Sequence, residues 1–556
     1  MGVIMSEKPT DEFKFHSALL KLSNDVKGMT DERLSRLAYA LENVDNLPLP
    51  IVGEAPPVSI KEQLPLLPID FIKDCYHRME LGDADMLQKL YNGRVVYDNS
   101  AKKWHTWNGV HWEADKNLIK YLYSAQVAEQ YLMSAMALRK EYETNKLKFA
   151  KIHDADGKVD KDEIDRNDEK LVLFECFIKR SKSLRTLNRT KRALEFMHGV
   201  MGVQGEIWDN NPLLLGVKNG TVDLKTTEFK GGEPSDYIKT VANVDFDRHA
   251  RCPRFEKFML EIFGNDAEVA RFMQRLIGYS ITGLTTEHIF PILWGEDGRN
   301  GKSTLLLVIK DVLGNHIKSI HSDVVVDNGR RGGANPFLME LKGRRIVYAS
   351  EPENQVKLKE ATIKSITGGD IIVGRGLYEK PQEWQPTHTM FLITNPKPVM
   401  SVTDDALWER IILIPFIHRF VDNPQGEFEH QRDTQLIEKL QEEKAGILNW
   451  LIAGCLEWQR AGLQVPETVK SATDKYHQEA DNFPDFIEEN CILGNNCFAT
   501  VSEMWARYEN YSYNENNKLK RKEFNERMNR MGIHSKVDKV HQSAVRRWQN
   551  IGLLSV

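Results

Sequence analysis

The residues able to do chemistry concentrate at 291–305, read Pro-Ile-Leu-Trp-Gly-Glu-Asp-Gly-Arg-Asn-Gly-Lys-Ser-Thr-Leu. A short apolar run (Ile292, Leu293, Trp294) leads into a loop with three glycines, Gly295, Gly298 and Gly301. Asn300 lies within that loop. Lys302, Ser303 and Thr304 follow it, and Leu305, Leu306, Leu307 and Ile309 open an apolar helical face. Strand, glycine loop, Lys-Ser, helix is the context in which backbone N–H groups and a helix N-terminus hold phosphate. In this reading Lys302 meets the β- and γ-phosphates of a nucleoside triphosphate, and the Ser303 hydroxyl holds Mg²⁺. The spacing departs from G-x-x-x-x-G-K-[ST]. Glu296 stands where the first glycine belongs and Gly295 comes one position early, so the loop is one residue longer.

Three polar residues further on complete the chemistry. Residues 345–351 form an apolar run ending in Glu351, placed to orient or deprotonate an attacking water and to join Ser303 at the metal. Ser350 stands where a second acid is usual, which Mg²⁺ tolerates because it keeps several waters. Residues 390–395 form another apolar run ending in Asn395, placed to position that water or contact the γ-phosphate. Arg410, beside Asp404, Asp405 and Trp408, is a candidate arginine finger into a neighbouring subunit's site.

The elements that must carry these residues are short apolar strands (292–294, 345–350, 390–394 and 408–416) alternating with helical stretches. That pattern predicts an α/β fold with a mainly parallel sheet covered on both faces. Two further strand-like segments, 371–373 and 383–385, bracket a Gly-Arg-Gly-Leu-Tyr-Glu-Lys-Pro stretch. Helices are expected over 253–290, after a boundary at Cys252-Pro253, and as an amphipathic pair over 430–465. A hairpin around Asn219-Gly220 closes the preceding domain. Residues 117–200 read as helical and charged. Within them 152–163 resembles a calcium loop, but Ile152 occupies a position that needs a carboxylate, so a solvated charged turn is expected. Trp104, Trp107 and Trp112 surround Asn108-Gly109 in a small β-meander and read as its core rather than as a base-stacking platform. Asp83-Ala84-Asp85 reads as a surface turn. Residues 1–46 read as polar and helical, and four prolines in 46–57 mark a linker. From Phe483 the expected order is helix, turn, helix, then short strands.

Composition sets the outer limits. The 556 residues suffice for about three to four domains, and 41% apolar with 28% charged residues argues against disorder. A net charge of −5 excludes a generally basic nucleic-acid coat, so any such contact must be local. It is local at 516–549, where ten Lys/Arg face three acids. Six cysteines without a CxxC pair fit a reducing cytosol, and neither a membrane span nor a signal peptide is expected.

Taken in order, Gly298-Arg-Asn-Gly-Lys-Ser-Thr304, Ala349-Ser-Glu-Pro-Glu353, Thr367-Gly-Gly-Asp370, Ile393-Thr-Asn-Pro-Lys-Pro398 and Trp408-Glu-Arg-Ile411 resemble a superfamily 3 helicase of the phage/plasmid primase–helicase family, poxvirus members included. Upstream, Tyr97-Asp98 with the tryptophan cluster and Val217-Lys-Asn-Gly-Thr-Val-Asp-Leu224 resemble the region before that family's motor. Downstream, Phe524-Asn-Glu-Arg-Met528 resembles its terminal winged helix. The resemblance implies an AAA+-like ring, a homohexamer, that unwinds DNA 3′→5′ with ATP and Mg²⁺. It implies Walker A at Lys302 and Ser303, Walker B at Glu351, sensor 1 at Asn395 and a finger at Arg410. It also implies a pore hairpin with Arg375, Tyr378 and Lys380 on single-stranded DNA. Duplex or fork contacts fall to Lys518, Lys520, Arg521, Lys522, Arg546 and Arg547. The implied organisation is a helical segment (1–46), linker (47–57), helical/β domain (70–245), ATPase core (253–425), helical connection (426–480) and winged helix (481–556). Trp-Glu-Arg in place of a frequent Trp-Arg-Arg leaves Arg410 as the sole finger candidate in that motif. Primase activity is not expected, since residues 1–89 offer no paired catalytic carboxylates in a strand. A separate primase or polymerase partner and a place in the bacterial host cytoplasm, as a phage or mobile-element protein, follow from the same resemblance. The competing readings are a DNA-binding initiator or loader that uses ATP only to assemble, and a defence NTPase on the same motor.

Overall fold

Residues 66–116, 119, 123–154, 157–327, 336–350, 357–376, 381–402, 404–512, 518–540 and 543–554 are described by the computed structural model. Residues 1–46 and 47–57, Glu351, Tyr378 and Lys380 lie outside them. The chain divides into two units between Ile207 and Trp208.

In the first unit, α1 (Ile69–His77) and α2 (Met79–Tyr91) precede β1 (Val95–Asp98), β2 (Lys103–Trp107) and β3 (Trp112–Ala114). A π-helical turn at Tyr123–Val127 leads into α3 (Ala128–Asp154), followed by α4 (Lys161–Leu184), α5 (Leu187–Val200) and β4 (Gly202–Val203). The sheet order is β3-β2-β1-β4, an antiparallel meander with β4 added parallel to β1. The tryptophans are structural, as expected. Trp112 is buried, Trp107 lies edge-on against it, and Trp104 rests against Tyr97 and His198. In the calcium-loop-like stretch, Asp160 caps α4 by accepting the Asp162 N–H. The expected surface turn at Asp83 is corrected. Asp83 is a fully buried residue of α2, held by Arg180 Nη1 at 3.0 Å, Arg189 Nη2 at 2.7 Å and the Tyr131 hydroxyl at 3.0 Å. A carboxylate with two guanidinium partners tolerates burial, whereas removing it strands buried positive charge.

The second unit opens with an antiparallel β5 (Leu214–Val217), β6 (Gly220–Asp223) and β7 (Phe229–Lys230). This hairpin was expected to close the preceding domain. Instead Leu215, Val217, Val222 and Leu224 are buried with Phe255 and Phe258 in the core of the second unit. Helices α6 (Pro253–Ile262) and α7 (Ala267–Ser280) lead to β8 (Phe290–Trp294), α8 (Lys302–Leu313), β9 (Ile317–Ile320) and β10 (Ile346–Ser350). Then come α9 (Glu360–Thr367), the two-stranded β11 (Ile372–Gly374) and β12 (Gln382–Trp384), β13 (Thr389–Thr394), the single turn α10 (Asp405–Trp408) and β14 (Ile411–Pro415). Trp408 therefore ends a helical turn rather than starting a strand, because Asp404 caps that turn on the Leu407 N–H.

Strands β8, β9, β10, β13 and β14 form one parallel sheet in the order β14-β8-β13-β10-β9. Alternation sorts its side chains. Phe290, Ile292, Met390, Leu392, Ile411 and Leu413 share one cluster, while Leu293, Phe391, Ile393, Ile412 and Ile414 join the other. Helices α6, α7 and α8 cover the second face and α9 the first, as a buried parallel sheet requires.

Beyond the sheet lie β15 (Arg419–Val421), β16 (Glu429–Gln431), α11 (Leu436–Glu442), α12 (Lys444–Ala461) and α13 (Glu467–Ala480). The chain ends with α14 (Phe483–Asn490), β17 (Cys491–Thr500), α15 (Val501–Tyr511), α16 (Arg521–Arg530), β18 (Ser535–Val540) and β19 (Ser543–Leu553). These last strands form an antiparallel sheet, β17-β19-β18, over a cluster containing Phe486, Tyr508, Phe524 and Trp548. Strand β17, which interrupts the expected helix–turn–helix, was not anticipated.

Candidate functional site

The loop 295–301 joins the carboxyl end of β8 to α8, and its neighbours fix it from both sides. The Gly295 N–H donates to Thr394 of β13 at 3.3 Å, the Phe416 N–H to Trp294 at 2.7 Å, and the Phe420 N–H to the Arg299 carbonyl at 2.8 Å. Asn300, 3% exposed, donates from Nδ2 to the carbonyls of Asp297 at 2.7 Å and Phe416 at 3.1 Å. Gly301 caps α8 with φ +85°, and a Cβ on it would meet Ile262 at 2.5 Å. A Cβ on Gly295 would meet Asn300 Nδ2 at 2.1 Å and Lys302 Nζ at 2.8 Å. Both glycines are therefore required by space or conformation. Around Gly298 a Cβ meets nothing within 4 Å, so that candidate is not held by packing.

Lys302 is 4% exposed, and its Nζ donates to the Gly295 carbonyl at 3.1 Å and to Asn395 Oδ1 at 3.0 Å. Two candidates 93 residues apart in sequence thus meet in one contact. The parallel register causes it: Thr394 lies opposite Trp294, so the residues after both strands emerge side by side. Burial of the Lys302 ammonium pushes its pKa down to about 8. Ser303 is exposed and Thr304 half-buried in the first turn of α8, where backbone N–H groups lack intrahelical acceptors. Together these supply what a polyphosphate needs: a buried cation, free N–H donors and a close backbone approach. The exposed Ser303 hydroxyl is an oxygen donor of the kind Mg²⁺ takes.

Arg410 is not brought to this site. It precedes Ile411, which lies opposite Phe290, whereas Pro415 lies opposite Trp294. At about 3.3 Å per residue, β14 sets Arg410 roughly 15 Å from the loop edge of its own sheet, beyond an arginine's reach. Its Nη1 folds back onto the Ala406 carbonyl.

A cleft of about 840 Å³ runs from Arg299, Gly301 and Thr304 to Phe420, His430 and Asp433. It lies within the size range of small-molecule sites. Sequence reasoning missed its outer wall, because β15 and β16 are three residues each and leave no periodic signal. Lys397, two residues after Asn395, was also missed. Its ammonium lies 4.6 Å from the Trp294 ring centroid and pairs with Glu479 of α13.

Of the proposed DNA contacts, Arg375 is exposed just beyond β11. Lys520, Arg521 and Lys522 are exposed around the start of α16, Lys518 sits 3.6 Å from Glu509, and Arg546 is exposed on β19. Arg547 is half-buried over the Phe498 ring. Arg527 is diverted: it pairs with Asp481 and lies over Phe483. Among the described residues no helix is long and apolar enough to cross a membrane.

Comparison with known proteins matches residues 84–264 to the family described as D5 N terminal like. "Putative helicase L207/L206" of Acanthamoeba polyphaga mimivirus is 28% identical over 310 residues, covering 53% of this chain and 32% of that protein. "Putative helicase 121R" of Invertebrate iridescent virus 3 is 24% identical over 493 residues, covering 79% of this chain and 51% of that protein. "Putative primase C962R" of African swine fever virus is 23% identical over 347 residues, covering 56% of this chain and 34% of that protein. The chain thus spans about a third to a half of the length of these relatives. The apo structure of the NrS-1 C-terminal region aligns with a TM-score of 0.41 at 12% identity, covering 85% of this chain and all of that one. The D5 N terminal like match and the helicase- and primase-named viral relatives together support assignment of this chain to the D5-like phage and viral primase–helicase family.

Proposed function

We propose that the chain is an ATP-hydrolysing DNA helicase that works as a homohexameric ring in viral or mobile-element replication. In this reading residues 253–425 are an AAA+-like P-loop core, 426–480 a helical connection and 481–556 a winged-helix module on duplex or forked DNA. The observation that carries the proposal is the meeting of Lys302 with Asn395 at the carboxyl edge of the sheet, with Arg410 at the opposite edge. In order of appearance the strands run 5-1-4-3-2, so the loop strand is flanked by two later ones. Such a switch point is where open parallel sheets bind ligands.

The residues divide the work as follows. Lys302 meets the β/γ-phosphates, and its low surrounding polarity strengthens that attraction. Asn395 positions the attacking water, and Glu351 takes its proton. Ser303 and Glu351 would hold Mg²⁺, which would supply charge neutralisation at the phosphate oxygens. The nucleoside lies along the cleft toward Phe420 and His430. Arg410, too far from its own loop, serves the next subunit. Single-stranded DNA passes Arg375, Tyr378 and Lys380, translocation runs 3′→5′, and primer synthesis falls to a separate primase or polymerase.

ATP turnover and nucleotide binding, measured side by side, test this reading. Lys302→Ala is expected to abolish turnover. Glu351→Gln is expected to bind ATP normally and fail to hydrolyse it. Near-normal turnover in the first variant would remove the loop from catalysis.

A further inference from the structure

The outward face of the C-terminal sheet carries an aromatic ring that the core does not use. Phe498 on β17 is 57% exposed, and Ile492 and Leu493 on the same strand are 49% and 60% exposed. The Arg547 guanidinium lies 4.5 Å from the Phe498 ring centroid. Register places Arg547 directly between Thr500 of β17 and Lys536 of β18, so these three share one face. Phe498 joins them by alternation along β17. Ala499 and Trp548 turn the other way, into the core.

We infer that this face is a stacking site for an unpaired nucleobase, with Phe498 as the platform and Arg547 and Lys536 taking the flanking phosphates. The inference rests on the nucleic-acid reading of the module and adds which form of DNA it holds. Charge selects the occupant. Lys536 is exposed, and Arg547 is half-buried, its Nε enclosed and only the rest of its guanidinium open to a phosphate. Of the two carboxylates nearby, Glu503 accepts the Thr500 N–H at 3.0 Å and its hydroxyl at 2.8 Å, with a smaller electrostatic pull from Arg547, and Asp538 accepts Gln549 at 3.2 Å, which leaves Lys536 as the freely exposed cation of this face. A paired base cannot expose its face to a ring, whereas an unpaired one can, and every base offers such a face. The Arg547 guanidinium against the Phe498 ring makes a cation–π contact with the platform itself.

The experiment compares binding of the full chain to labelled oligo-dT and to an abasic strand of equal length, which keeps the phosphates and lacks the bases. The wild-type chain should prefer oligo-dT. Phe498→Ala should lower that preference by about tenfold, the scale of one stacked base, while binding to the abasic strand is unchanged. Phe498→Trp should restore it. The exposed position leaves the buried cluster intact, which a thermal melt checks. Equal wild-type affinity for the two strands, or an undiminished preference in Phe498→Ala, overturns the inference. So does a change in self-association alone on sedimentation, which would assign the patch to a protein partner. Failure of the wild-type chain to bind either strand would instead sink the nucleic-acid reading of the module.

Discussion

The glycine loop and the C-terminal basic module, both proposed to meet phosphate, are built in opposite ways. The loop converges: Lys302, Asn300 and Asn395 are drawn together by three strands, with Gly295 and Gly301 shaped to within a methyl group. The module disperses: Lys520, Arg521, Lys522 and Arg546 are exposed on α16 and β19. One buried cation in a fixed cradle gives geometry, and several solvated ones give charge. Loss of a single group should therefore be severe at the loop and graded at the module.

The sharpest break in that contrast is predicted at Arg410, which belongs to neither region. Arg410→Ala should cost on the order of 10³-fold or more in turnover, as arginine fingers do, and leave nucleotide binding intact. Mixed with Lys302→Ala, it should recover part of the ATPase activity that neither variant has, because some interfaces then pair an intact loop with an intact finger. No recovery in mixtures shown to co-assemble would place Arg410 outside catalysis or within its own subunit.

Next in size is a pair of glycines. Gly295→Ala pushes a methyl into Asn300 and Lys302 and should reduce nucleotide affinity by roughly two orders of magnitude. Gly298→Ala meets open space and should bind as the wild type does. Equal losses would mean that the loop is not held in this conformation.

The smallest effects separate the regions by solvent condition. Burial holds the Lys302 pKa at about 8, below the usual lysine value, so the charge is present below that pH and lost above it. Nucleotide affinity should fall by about tenfold per pH unit above that point. DNA affinity should respond to salt instead. Replacing Lys520, Arg521 and Lys522 by alanine should flatten the slope of log affinity against log salt by about 2–3. Isothermal titration across pH and fluorescence anisotropy across salt check the two arms.

What the sequence revealed follows the range of the forces involved. The central strands were legible as short unbroken apolar runs, because Ile292 and Leu293 face opposite sides of the sheet and both sides are buried, and the loop because its glycines precede Lys302. The Lys302–Asn395 contact was foreseeable only as two strand ends, since register decides whether they meet. Asp83 misled because its two arginines come from helices about a hundred residues downstream, and a carboxylate in a polar stretch carries no sign of burial. The hairpin at residue 220 was assigned to the preceding domain because its packing against α6 is tertiary. Strand β17 escaped notice because its apolar residues Ile492, Leu493 and Phe498 face solvent and break the expected alternation.

Strand displacement on a forked DNA duplex, with ATP and Mg²⁺, tests the central claim most directly. The account predicts that the wild-type chain releases the displaced strand only with hydrolysable ATP, and that Lys302→Ala binds the fork without releasing it. ATP hydrolysis without strand release, on forks of either polarity, would contradict the helicase reading and leave a protein that spends ATP on assembly.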